Sequence, residues 1–136
     1  MPELSLIAYN GLTKEEHGSR LVGGSCAKQK CLTVYVAPWC PACRRATKMI
    51  NGLTASVEKA GYDAQIIVGS DHIDTLKQYA EEFPSTVLLD VNRQFYSKVN
   101  VKAVPYFVVS DWKGNKLTEI RGGILDVGAM RNRLDL

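Results

Sequence analysis

The hydrophobic pattern changes period between residues 37 and 41, and that change governs what the chain can fold into. Up to Ala37 the stretch CLTVYVA is rich in Val, Thr and Tyr, the composition of a buried strand. From Pro41 onward Ala42, Ala46, Met49, Ile50, Leu53, Val57 and Ala60 recur at three- and four-residue steps, one face of an amphipathic helix. Pro41 suits the first helical position and Gly61 the stop. Gly52 inside the pattern costs about 1 kcal/mol relative to alanine and leaves room for a bend. The junction reads APWCPAC, with Cys40 and Cys43 three positions apart. Such a pair allows three readings: a redox couple, half of a metal site, or ordinary buried thiols.

The remainder of the chain alternates in the same way. AQIIVGS (64–70) reads as the next strand, and DHIDTLKQYAEEF follows as a helix with Asp71 as N-cap and Pro84 beyond its end. TVLLD (86–90) is a third strand, RQFYSKV (93–99) a short helix and VPYFVVSD (104–111) a fourth strand. Lys113-Gly114-Asn115 turns the chain into KLTEIR (116–121), an antiparallel partner, and Gly122-Gly123 leads to a last helix over about 125–134. Residues 1–31 are the least readable, with turn signals at Asn10-Gly11 and Gly23-Gly24 and a short strand at SLIAY. This alternation predicts an α/β fold with a central mixed β-sheet flanked by helices. At 136 residues the expectation is one domain, with 1–30 as an N-terminal extension and 31–136 as the core.

Composition narrows the function classes. The net charge of +3 is mild and its cations are scattered, so nucleic-acid binding is not expected. No apolar run approaches the ~18 residues of a membrane span. The opening MPELSLIAYNGL lacks a basic start and an apolar h-region. Two locations fit: the cytoplasm, or the periplasm or another extracytoplasmic space if a leader has been removed. Neither a metal nor an organic cofactor is expected, and the chain is expected to act as a monomer.

The position of the cysteines gives them distinct chemistry. Cys40 precedes Pro41 at the N-cap, where unpaired N–H groups and the positive end of the helix dipole favour a thiolate. A thiolate is the attacking species in disulfide exchange, which makes Cys40 the nucleophile. Cys43 lies about one turn further in and is positioned to resolve a mixed disulfide. Trp39 is expected to cover the sulfur pair, and Arg44 and Arg45 to add screened positive charge.

APWCPAC at a strand-to-helix junction, followed by VKAVPYFVV, resembles the thioredoxin superfamily. The helix 71–83 and TVLLD, a helical insertion before the cis-proline strand, resemble the TlpA/ResA-type branch of thiol–disulfide oxidoreductases. That resemblance implies a thioredoxin-like fold with Pro105 cis and facing Cys40 and Cys43. It implies exchange with protein dithiols and disulfides, recharging by an upstream redox partner, and a docking surface of Trp39, Pro41, Val104 and Pro105. Pro41-Ala42 between the cysteines is closer to the Cys-Pro-X-Cys of glutaredoxin-like and Dsb-like proteins. The chain departs from thioredoxin at Val34, where that family carries a buried Asp six residues before the first cysteine, and no lysine accompanies it in AQIIVG. The usual proton acceptor for the second cysteine is therefore missing, and the redox direction stays open. Two further readings compete: a binding or assembly module with a structural disulfide, and a glutathione-dependent reductase.

Cys26 and Cys31 form a second pair, CAKQKC. Cys31 starts a strand whose length, at ~3.3 Å per residue, places it about 20 Å from the junction. A local Cys26–Cys31 disulfide, two free thiols, and a four-cysteine zinc site with Cys40 and Cys43 are the alternatives. His17, in a polar loop, and His72, in the first turn of a helix, read as solvated or capping residues. Phe95, Tyr96, Tyr106 and Phe107 read as core, with Tyr106 a further candidate for substrate contact beside Pro105.

Overall fold

The computed structural model describes residues 1–122 and 126–136. In chain order the elements are β1 (Leu4–Asn10), β2 (Glu15–Val22), β3 (Lys30–Val36), α1 (Pro41–Lys59), β4 (Asp63–Gly69) and α2 (Ile73–Ala80). They continue as β5 (Val87–Asp90), α3 (Gln94–Lys98), β6 (Tyr106–Asp111), β7 (Lys116–Arg121) and α4 (Val127–Leu134). The strands form one mixed sheet in the order β2-β1-β5-β4-β3-β6-β7. β3, β4 and β5 run parallel, and the outer strands pair antiparallel.

Alternation along each strand splits the core into two faces. Val34, Val36, Ile66, Val68 and Phe107 meet the apolar stripes of α1, α2 and α4 on one side. Tyr35, Ile67, Leu88, Tyr106 and Val108 pack with Phe95 of α3 and with Leu4 and Leu6 on the other. α1 runs unbroken through Gly52, whose missing side chain makes space for α4: a Cβ there would lie 3.2 Å from Val127 Cγ2. Gly61 takes φ +95° just past the helix, the left-handed conformation that ends it.

Three expectations change. The stretch before β3 carries two strands; β1 pairs with both β2 and β5, so it extends the central sheet. His17 belongs to β2 and is exposed. The N-cap of α2 is His72 and makes no side-chain cap bond, because the Asp71 carboxylate accepts from the His72 N–H at 2.7 Å instead. Of the expected last helix, Leu125 lies outside the described residues, as does Gly123 of the preceding turn. Among the described residues no helix is long and apolar enough to cross a membrane.

Candidate active site

Three parallel strands deliver their C-terminal ends to one rim of the sheet, the usual place for a site in an α/β fold. Val36 is aligned with Val68, and Gly69 with Asp90. β6 enters this rim from the opposite direction: Tyr35 pairs with Tyr106, so the preceding Pro105 lies beside the 37–40 turn. The Val104–Pro105 peptide is cis.

The turn is set by the Cys40 N–H donating to Ala37 O at 3.2 Å. Cys40 then caps α1 from an extended conformation, φ −90° and ψ 110°, and Pro41 follows with no N–H to orphan. The Cys43 N–H donates to Cys40 Sγ at 3.1 Å. On its other side the Cys40 thiol donates to Val104 O at 3.7 Å. Cys40 is therefore held between a helix N-terminus and the cis-proline segment. Both thiols are free, Cys40 4% exposed and Cys43 0%.

Burial, aided by hydrogen bonding to the Cys40 sulfur, pushes the Cys43 thiol well above the ordinary range. Backbone hydrogen bonding at Ala37 and Cys43 pulls the other way but is outweighed, and among the described residues no charged partner adds to it. Val34 is buried and aligned with Ile66 and Phe107, so the sheet beneath α1 is apolar where thioredoxin carries an acid. Among the described residues neither sulfur bonds a carboxylate. Arg44 turns away: its Nε donates to Pro38 O at 2.7 Å, its Nη1 pairs with Glu82 at 2.7 Å, and it stacks on the Tyr79 ring. Its charge serves to brace the turn against α2 instead of facing the sulfurs.

Trp39 is 57% exposed, and its Nε1–H donates to Ser70 O at 2.8 Å. Ser70 leads to a set of residues that sequence reasoning missed. The Ser70 hydroxyl is 3.3 Å from the Tyr35 hydroxyl, which donates to Asp90 at 2.7 Å. The fully buried Asp90 also accepts from the Phe95 and Tyr96 N–H groups at 3.0 and 3.1 Å. One carboxylate thus ties the start of α3 to the loop that holds Trp39. Tyr106, a candidate for substrate contact, is buried with its hydroxyl on Glu119, on the face away from Cys43.

Cys26 and Cys31 are joined by a disulfide with 6.2 Å between their Cα atoms. They sit at the N-terminal end of β3, whose other end leads to Cys40. The length of β3 between the two pairs, held in register with β4 on one side and β6 on the other, overturns the four-cysteine zinc alternative.

No family model matches the chain. Its fold is the thioredoxin-like fold of thiol–disulfide oxidoreductases, established by solved structures aligned over nearly the whole chain. The exposed lipoprotein thioredoxin Etrx1 of Streptococcus pneumoniae superposes with a TM-score of 0.70, covering 98% of each chain at 16% identity. A Chlorobium tepidum protein assigned as the thiol:disulfide interchange protein DsbE gives 0.70 over 97% of this chain and 90% of that one, at 24% identity. In sequence, the chain is similar to nucleoredoxin of Bos taurus, 29% identical over 90 residues. That match covers 62% of this chain and only 21% of the nucleoredoxin.

Proposed function

We propose that the chain, acting as a single domain, is a thiol–disulfide oxidoreductase working on protein substrates through Cys40 and Cys43. The observation that carries this reading is the placement of Cys40 Sγ between the Cys43 N–H and the Val104 carbonyl beside cis Pro105. In the reductive direction the Cys40 thiolate attacks one sulfur of a substrate disulfide. The substrate bond breaks, its other sulfur leaves as a thiolate that takes a proton from water, and a mixed disulfide forms at Cys40. Cys43 then gives its proton to solvent and attacks Cys40 Sγ. The Cys40–Cys43 bond closes and the second substrate thiolate departs, so two electrons have passed to the substrate. Oxidation is the same sequence reversed, and no metal or organic cofactor takes part.

Trp39, Pro41, Val104 and Pro105 form the docking surface. Pro105 donates no N–H, and the preceding backbone is free to pair with an extended substrate segment. Burial of Cys43 makes the second step the slow one, since its thiol must ionise without a carboxylate nearby. A separate redox partner resets the pair after each turnover.

Cys43→Ser tests the assignment of roles. It should accumulate a mixed disulfide with a dithiol protein substrate, visible by non-reducing electrophoresis, whereas Cys40→Ser should accumulate none. Turnover of glutathione mixed disulfides by Cys43→Ser would instead move the reading to a glutathione-dependent reductase. Equilibration against dithiol buffers then fixes the direction: a potential near about −270 mV marks a reductant and one near about −120 mV an oxidant. A pair that forms no disulfide under oxidising conditions would overturn the proposal, and a disulfide that no dithiol reduces under native conditions would favour a binding module instead.

A further inference from the structure

Three metal-ligand side chains that the Cys40–Cys43 site does not use meet at the opposite rim. Parallel register places Cys31, near the start of β3, directly against Asp63, the first residue of β4. Asp63 Oδ2 lies 3.9 Å from Cys31 Sγ. Cys26 reaches the same point from a loop pinned by its N–H to Trp112 O at 3.1 Å. The ligand atoms of Cys26, Cys31 and Asp63 all lie within 4.8 Å of one another. Beside them opens a cavity of about 390 Å³, lined also by Glu58, Gln65 and Ser110.

With the disulfide closed, the sulfurs are neutral and cannot hold a cation. A dithiol that reduces it supplies two electrons and two protons, ends as its own disulfide, and leaves two thiols beside a carboxylate. Ionising those thiols next to Asp63 is unfavourable, because three negative charges would crowd one point. A divalent cation reverses that balance, binding two thiolates and a carboxylate oxygen while two protons leave to solvent. Sulfur ligands select zinc over magnesium or calcium, and three protein ligands leave a fourth tetrahedral position facing the cavity. We propose that Cys26, Cys31 and Asp63 form a zinc(II) site that opens when the Cys26–Cys31 disulfide is reduced and is abolished when it re-forms. The site is independent of the Cys40–Cys43 reading.

The test uses the full chain with Cys40→Ser and Cys43→Ser, so that Cys26 and Cys31 carry the only thiols. After reduction with a phosphine, it should bind one cobalt(II) per chain with sulfur-to-metal charge-transfer absorbance, displaced by one equivalent of zinc(II). The oxidised chain should bind none. Asp63→Asn should weaken zinc binding about 10-fold or more. Binding that Asp63→Asn leaves unchanged, or none at all by the reduced chain, overturns the proposal. Should the double serine variant not fold, the reduced wild-type chain and Cys31→Ser give the same answer by difference: equal zinc uptake by the two overturns it.

Discussion

Tyr35 is the penultimate residue of the largely apolar β3, yet its hydroxyl is what joins the loop under Trp39 to the start of α3. Replacing it with Phe leaves the Asp90 carboxylate with only its two backbone donors. Under-satisfying a buried charged acceptor costs about 1–3 kcal/mol, so Tyr35→Phe should lower the urea midpoint by that equivalent. Tyr106→Phe should cost less, because Glu119 keeps its ion pairs with Lys116 and Arg121. Equal losses in the two variants would contradict the special role given to Asp90. Gly69 makes the arrangement possible, since a Cβ there would stand 1.9 Å from the Tyr35 hydroxyl and 2.8 Å from Asp90 Cβ. Gly69→Ala should therefore destabilise more than Tyr35→Phe, and a fluorescence shift should report that Trp39 has moved. Cys40 and Cys43 were legible because their chemistry is written in residue type and spacing, whereas cis Pro105 was legible only through the resemblance to the thioredoxin superfamily. Tyr35 and Asp90 were not, because each reads as a member of an apolar run. The available signal was a carboxylate closing the otherwise apolar VLLD: a charge buried there must find partners.

The central β3-α1-β4 unit follows its sequence pattern to within a residue at each end, since burial on one face dictates both period and length. β2 had no such signature. Seven of its eight residues are exposed, and it exists because β1 supplies backbone partners along its length. Pairing of this kind is a tertiary fact that local composition does not carry. Asn10 does leave a local mark, its side chain accepting from the Leu12 and Thr13 N–H groups at 2.9 and 3.1 Å to fix the reversal into β2. In α1 the expected weakness at Gly52 is a packing compromise with α4. Gly52→Ala gains about 1 kcal/mol of helix propensity but presses a methyl group against Val127. Combined with Val127→Ala, the substitution should stabilise by more than it does alone, measured as a double-mutant cycle in denaturant. Additivity of the two changes would mean that the helices part freely at this point.

Four buried acids of high pKa tie the molecule's stability to alkaline pH. Burial raises the Cys43 thiol and the Tyr35, Tyr79 and Tyr106 phenols above their ordinary values of 9.0 and 10.0. In the unfolded chain these groups ionise at those ordinary values, while the folded chain keeps them protonated. The unfolded state therefore binds fewer protons, and stability, complete below about pH 9, should fall as pH rises beyond it. Each group contributes a slope of about 1.4 kcal/mol per pH unit once its unfolded form ionises. Urea midpoints should match at neutral pH and about pH 8.5, then drop steeply by about pH 10.5; a flat profile would mean that these groups are not sequestered. The outermost strands have a different bearing on behaviour in concentrated solution. β2 carries Glu15, Glu16 and Arg20, and β7 carries Lys116, Glu119 and Arg121. A foreign extended chain meets a fence of fixed charge at either margin, so the sheet is a poor template for fibrous growth.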